Sequence, residues 1–100
     1  MSVPELLNRA RAAGIRIATA ESCTGGMVAA ALTDIAGSSD VVDRGFVTYS
    51  NAAKRDMLGV RAETLDSVGA VSEDVAREMA DGAIDRSGVQ LAVSVTGIAG

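Results

Sequence analysis

Few residues of this chain could do acid–base chemistry, because the sequence contains no histidine. Histidine is the commonest general base in enzymes, so serine–histidine and cysteine–histidine catalysis are both excluded within the chain. Nucleophilic hydrolysis would need a lysine, a tyrosine or a carboxylate as the proton acceptor. The chain has one lysine, Lys54, and one tyrosine, Tyr49, and the two lie five positions apart.

Two adjacent residues, Ser22 and Cys23, are the nucleophile candidates. They lie in the segment Glu-Ser-Cys-Thr-Gly-Gly (21–26), where a predicted strand gives way to a loop and then to a helix. Such a turn can expose a nucleophile beside free backbone N–H groups. The alternative is a capped loop, in which Ser22 or Thr24 accepts a hydrogen bond from the next helix. We rank Ser22 above Cys23, because a thiol needs a partner that lowers its pKa.

Lys54 could act as a base only in its neutral form. Moving a lysine pKa from about 10.4 to about 7 costs about 4.6 kcal/mol, which demands burial or positive neighbours. A helix predicted to start at Ser50 or Asn51 would place the positive end of its dipole one turn away, and Arg55 or Arg44 could add like charge. The alternative is a solvated lysine on an exposed helix face.

Three further features could contribute to a site. Tyr49, at the end of a predicted strand, could relay a proton, or it could be an aromatic residue at the sheet edge with a solvated hydroxyl. Asn51 could cap a helix, contact a ligand, or do both. The segment Thr-Gly-Ile-Ala-Gly (96–100) offers amide donors that suit a phosphate or a carboxylate. The sequence lacks the Gly-Lys-Ser/Thr of a P-loop, which counts against phosphate binding by the two glycine-rich loops.

Helices and short apolar strands alternate along the chain and would position these residues. Strands are predicted at 15–20, 45–49 and 91–95. Helices are predicted at 4–13, from Gly25 or Gly26 through Leu32, from Ser50 or Asn51 to Leu58, at 62–68, and after a cap at Ser72. The pattern predicts an α/β fold with three layers, α/β/α, around a mostly parallel or mixed sheet.

Composition excludes several classes of protein. The 100 residues are 48% hydrophobic and 22% charged, which is typical of one folded domain rather than a disordered chain. A net charge of -4 and 2% aromatic residues argue against nucleic acid as the main partner. One cysteine without histidine gives no metal site of the usual kind. The sequence shows no signal peptide and no membrane span, so we expect a cytoplasmic protein.

Five segments together resemble the CinA C-terminal domain family: 19–26 (Thr-Ala-Glu-Ser-Cys-Thr-Gly-Gly), 45–54, 57–60, 69–72 and 95–100. The resemblance implies a nicotinamide mononucleotide deamidase, which forms nicotinate mononucleotide and ammonia by serine–lysine chemistry without a cofactor, in pyridine nucleotide recycling. In this sequence Ser22 would attack the amide and Lys54 would take its proton with help from Tyr49. Amides around Cys23 and Thr24 would hold the oxyanion.

The same resemblance extends to substrate contacts and to the rest of the family's domain. Residues expected to contact the substrate are Glu21, Cys23, Thr24, Gly25, Gly26, Asn51, Thr96 and Gly97. Family members continue past their Gly-Ile-Ala-Gly segment, so we expect an incomplete domain that forms a homo-oligomer. The alternative is a catalytically silent nucleotide-binding or oligomerising domain, and this alternative tolerates a solvated Lys54.

Overall fold

The computed structural model describes residues 1–98 of the chain. Its helices are α1 (Val3–Ala13), α2 (Met27–Thr33), α3 (Asn51–Leu58), α4 (Ala62–Val68) and α5 (Glu73–Ser87), with a short 3-10 turn at Ser38–Asp40. Its strands are β1 (Ile17–Glu21), β2 (Val42–Val47) and β3 (Leu91–Val95). The three strands are parallel in the order β2-β1-β3, so β1 is the central strand.

Helices cover both faces of this sheet, as predicted. On one face, α1 and α2 enclose an apolar cluster built from Leu7, Ala10, Ile17, Leu32 and Val41. On the other face, α3 and α5 enclose a second cluster, which contains Ala20, Leu58, Val60, Val75, Met79 and Ala83. All five residues of β1 are buried between the two clusters. The α/β class and the three layers are therefore confirmed.

Serine side chains begin three of the helices. Ser2 accepts a hydrogen bond from the backbone of Glu5, and Ser72 accepts one from Val75. At α3 the cap is Ser50, which accepts from the N–H of Ala53, so Asn51 is the first helical residue. Each bond satisfies a backbone donor that has no partner inside the helix.

Two of the three strands differ from the prediction in where they begin and end. The first strand begins at Ile17 rather than at residue 15, because the N–H of Ile15 is still used by the end of α1, where it donates to Ala10. The second strand covers 42–47 rather than 45–49. A bulge at Asp43 places one extra residue in β2 between Val42, which pairs with Ile17, and Arg44, which pairs with Ala18. A bulge at the edge of the described sheet tolerates polar residues.

Within residues 1–98, no helix is both long enough and apolar enough to cross a membrane.

Candidate active site

The candidate site lies at the carboxyl end of the central strand, which is where open α/β sheets place ligand contacts. Ser22 follows β1 directly and is 6% exposed. Its N–H donates to the carbonyl of Val95 over 2.9 Å, and its own carbonyl accepts from Gly25 over 3.1 Å. The backbone of Ser22 is therefore held by the neighbouring strand and by the turn that follows it.

Helix α3 brings Lys54 to this serine. Although it carries an amine, Lys54 is only 1% exposed. Its Nζ lies 3.0 Å from Ser22 Oγ, 3.0 Å from the carbonyl of Thr48 and 3.2 Å from the carbonyl of Tyr49. The structure thus selects the buried alternative for Lys54 and excludes the solvated one.

Burial also changes the acidity of this amine. Desolvation lowers the pKa of Lys54 below its ordinary value of 10.5, and the nearby thiol of Cys23 acts in the opposite direction. Every ion pair among the described residues is made by an arginine, so no carboxylate there stabilises the lysine cation. Of the causes that the sequence suggested, burial is the main one, and the like charge of Arg55 or Arg44 is not among those that shift this pKa.

A pocket of about 260 Å³ opens beside the Ser22–Lys54 pair. Its lining residues are Ser22, Cys23, Tyr49, Asn51, Lys54, Ala70, Thr96, Gly97 and Ile98. Of two larger grooves, the one of about 440 Å³ shares Thr96 with this pocket and the one of about 420 Å³ shares no lining residue with it, and neither includes Lys54. The structure therefore brings together seven of the eleven residues that the sequence pointed to.

The pocket uses Tyr49 in a way that the sequence did not suggest. Its backbone carbonyl faces Lys54, whereas the side chain is 68% exposed. Tyr49 also lies two residues beyond the end of β2 rather than inside a strand. The carbonyls of Thr48 and Tyr49 were missed as partners of Lys54, because a backbone carbonyl is present at every position and leaves no signal in a sequence.

The four remaining predicted contacts, Glu21, Thr24, Gly25 and Gly26, do not line the pocket. Glu21 is fully buried, and its carboxylate accepts from Thr24 Oγ1 over 2.6 Å and from the N–H groups of Val28 and Ala29 over 2.9 Å each. The prediction that Ser22 or Thr24 caps the next helix is wrong, because Glu21 fills this position. Gly26 precedes α2 with φ 114°, a conformation that side chains rarely adopt.

The acidity of Glu21 reflects these bonds. Burial alone would raise its pKa, but hydrogen bonds from Thr24 and from the backbone N–H groups of Ala29 and Val28 outweigh burial and hold the pKa below its ordinary value of 4.5. Glu21 is therefore an anion at neutral pH, and it occupies the N–H groups that begin α2.

Backbone donors remain at the turn itself. Among the described residues, the N–H groups of Ser22 and Gly25 have acceptors, whereas those of Cys23 and Thr24 have none. N–H groups beside a nucleophile can stabilise an oxyanion.

On the opposite wall of the pocket, Thr96 Oγ1 donates to the carbonyl of Ala70 over 2.8 Å and ties this wall to the end of β3. Within residues 1–98, no cluster of three acidic or cysteine side chains could hold a metal ion.

Fold and site together define an α/β protein with a buried serine–lysine pair at the carboxyl edge of a parallel sheet. The CinA C-terminal domain family matches residues 2–100 of the chain. The chain therefore belongs to the CinA C-terminal domain family, as its sequence motifs suggested.

Several relatives are similar to the chain over most of its length. Nicotinamide-nucleotide amidohydrolase PncC of Escherichia coli (strain K12) is 56% identical over 101 residues, which cover 100% of this chain and 61% of that protein. A CinA-like protein of Chlorobium phaeobacteroides is 63% identical over 87% of this chain and 21% of its own length. The crystal structure of the competence/damage inducible protein CihA from Agrobacterium tumefaciens superposes with a TM-score of 0.95 at 59% identity, over 98% of this chain and 59% of that one. The chain spans less than two thirds of each of these relatives.

Proposed function

We propose that this chain carries the serine–lysine centre of an amidohydrolase that converts nicotinamide mononucleotide into nicotinate mononucleotide and ammonia. The observation that carries the proposal is the 3.0 Å contact between Lys54 Nζ and Ser22 Oγ in a setting where the lysine is buried. Relatives named nicotinamide-nucleotide amidohydrolase PncC support the choice of substrate.

The partners of Lys54 support proton transfer from Ser22 to a neutral amine. A neutral amine has two N–H donors and one lone pair, whereas a backbone carbonyl can only accept. When the two N–H groups of neutral Lys54 donate to the carbonyls of Thr48 and Tyr49, its lone pair is left for the hydroxyl of Ser22. Neutral Lys54 is then oriented to take the proton of Ser22.

The reaction follows from this orientation. Ser22 Oγ forms a bond to the carboxamide carbon while its proton passes to Lys54, and the N–H groups of Cys23 and Thr24 stabilise the oxyanion. Lys54 then gives the proton to the leaving nitrogen, the carbon–nitrogen bond breaks and ammonia departs. Water next attacks the acyl ester and gives one proton to Lys54, which returns it to Ser22 as the carbon–oxygen bond breaks; the acid that forms loses its remaining proton to solvent and leaves as the carboxylate. The cycle restores Ser22 and needs no cofactor.

The position of Glu21 argues against a third interpretation of the sequence, a nucleotide-phosphate binder that uses the two glycine-rich loops. An anion at a helix start needs free N–H groups. At α2 the carboxylate of Glu21 already accepts from Val28 and Ala29. A phosphate of the nucleotide would therefore not bind at these N–H groups of α2.

Ammonia release from nicotinamide mononucleotide tests the proposal, with the full-length Escherichia coli relative as a positive control. We expect the parent chain to release ammonia and Ser22→Ala and Lys54→Ala to lose at least about 100-fold in kcat. Cys23→Ala should lose far less, because the thiol is not the nucleophile. Equal rates for the parent and Ser22→Ala would overturn the proposal. A folded parent that binds the nucleotide in calorimetry without releasing ammonia would support the catalytically silent alternative.

We also propose that the protein is cytoplasmic and assembles as a homo-oligomer without nucleic acid. In the part of the chain that the structure describes, the apolar side chains of Leu91 and Val93 on β3 are 39% and 38% exposed, and exposed apolar surface supports an association. Sedimentation velocity over a concentration series checks the assembly, and a strict monomer at every concentration would refute it.

A further inference from the structure

A buried carboxylate lies directly before the nucleophile candidate. Glu21 is the last residue of β1 and is 0% exposed, yet it forms no ion pair with any described residue. Its partners are the hydroxyl of Thr24 and the N–H groups of Val28 and Ala29. A buried charge is expensive, so its retention beside Ser22 needs an explanation.

The contacts of Glu21 close a loop around Ser22. The carbonyl of Glu21 accepts from the N–H of Thr48 over 2.8 Å, which ties this point of β1 to the segment after β2. Its carboxylate reaches forward to Thr24, two residues past Ser22. Ser22 is therefore fixed on both sides, and the turn is held in the form that leaves the N–H groups of Cys23 and Thr24 free.

Only an ionised carboxylate satisfies this arrangement. The donors come from one hydroxyl and two backbone N–H groups, and they approach both oxygens: Thr24 and Val28 donate to Oε1, and Ala29 donates to Oε2. A glutamine would have one oxygen and an NH₂ group, which would face a donor with another donor. The amide is close in shape to the carboxylate but cannot keep all three bonds.

We propose that Glu21 is a positioning residue, whose carboxylate holds the 22–26 turn so that Ser22 faces Lys54 and the N–H groups of Cys23 and Thr24 face the developing oxyanion. The inference rests on the proposed function and replaces the expected substrate contact at Glu21. A displacement of about 1 Å at a reacting group can cost about 100-fold in rate. Glu21 would therefore act on kcat and leave KM nearly unchanged.

The test measures the reactivity of Ser22 in two ways across Glu21→Gln, Thr24→Val and Thr24→Ser. The first is kcat and KM for nicotinamide mononucleotide. The second is the labelling rate of Ser22 by diisopropyl fluorophosphate, followed by intact mass. In labelling, the Oγ–phosphorus bond forms, fluoride leaves and the serine proton passes to Lys54 and on to solvent.

We expect Glu21→Gln to lower both kcat and the labelling rate about 100-fold. Thr24→Val should lower them about tenfold through the loss of one bond to a charged group, and Thr24→Ser should restore them. In a pH series, Glu21→Gln should lower the plateau of the labelling rate without moving its midpoint, because the midpoint belongs to Lys54. Ser2→Ala is the matched control: it removes the cap of α1 and should lower stability without changing labelling.

Several outcomes would overturn the inference. One is a Glu21→Gln protein with a lower melting temperature but the parent labelling rate, which would make Glu21 merely structural. Another is a raised KM with unchanged kcat, which would make it a substrate contact. Should Glu21→Gln fail to fold, equal labelling of the two Thr24 variants would overturn it. Labelling that depends on Glu21 and Lys54 in a parent that releases no ammonia would support positioning while refuting the amidase. A parent that neither labels nor releases ammonia would refute both.

Discussion

Replacing Lys54 tests the chemistry most directly, because two substitutions separate its charge from its basicity. Lys54→Met keeps an unbranched chain of similar length and removes the amine. Lys54→Arg keeps a cation, but a guanidinium with a pKa above about 12 cannot act as a base at neutral pH. If Lys54 takes the proton of Ser22, both variants must be inactive for different reasons.

The magnitude follows from the role of one general base. Loss of such a group lowers the rate by about 10²–10⁴-fold, which is about 2.7–5.5 kcal/mol in the barrier. Lys54 and Ser22 share one 3.0 Å hydrogen bond and act as a unit. The double variant Ser22→Ala/Lys54→Met should therefore be no slower than the slower single variant, since effects within such a unit are not additive.

The assay is kcat for ammonia release between about pH 6 and about pH 10. An unperturbed lysine, with a pKa of about 10.4, is about 0.04% neutral at pH 7, and each unit by which burial lowers its pKa raises this fraction about tenfold. Below the pKa of Lys54, kcat should rise tenfold per pH unit, and it should level off above. Parent-like rates in Lys54→Arg would refute the assignment of Lys54 as the base.

Three further predictions concern the same structure. The free energy of unfolding of the parent, relative to that of Lys54→Met, should rise with pH between the lowered pKa of Lys54 and 10.5, because in this window the unfolded chain binds one more proton than the folded chain. Urea unfolding at several pH values measures this rise. A difference that stays constant with pH would contradict the prediction. Tyr49→Phe should lower kcat less than about tenfold, because the backbone carbonyl of Tyr49 faces Lys54 and its side chain is 68% exposed. Steady-state kinetics measure the change, and a loss of about 100-fold or more would indicate a proton relay through the phenol. Gly82→Ala should cost about 1–3 kcal/mol or more in urea unfolding, because a Cβ there would lie 1.9 Å from the carbonyl oxygen of Leu58; helix propensity alone would stabilise the protein, so a gain in stability would show that α3 and α5 are not so closely packed.

Local patterns in the sequence predicted most of the helices and strands. Capping serines and apolar spacing located the helices, and α5 buries Val75, Met79 and Ala83, the three residues whose spacing predicted its inner face. The boundaries of β1 and β2 were misplaced, because pairing between strands decides where a strand begins and ends. Neither the bulge at Asp43 nor the use of Ile15 by α1 has a local signature.

The candidate site was predictable to the extent that residue types limit chemistry. The absence of histidine pointed to Lys54, and the strand-to-helix turn pointed to Ser22. The sequence could not place Glu21, whose spacing from Val28 and Ala29 fits no standard capping pattern. In the fold the cap comes from the preceding strand, seven and eight residues before the N–H groups that it binds. Contacts of this kind depend on the angle at which α2 leaves β1, and that angle is set by packing.

The two buried ionisable residues of the site have opposite surroundings, and this difference supports the roles that we propose for them. Glu21 receives hydrogen bonds from a hydroxyl and backbone N–H groups, so its pKa falls and it remains charged. Lys54 faces two carbonyls and a hydroxyl but no carboxylate among the described residues, so burial dominates and its pKa falls toward the neutral form. The Glu21 carboxylate already accepts three hydrogen bonds from its own turn and from α2, which suits a positioning role. An amine driven toward neutrality can accept the proton of Ser22 when its lone pair faces that hydroxyl, as we propose.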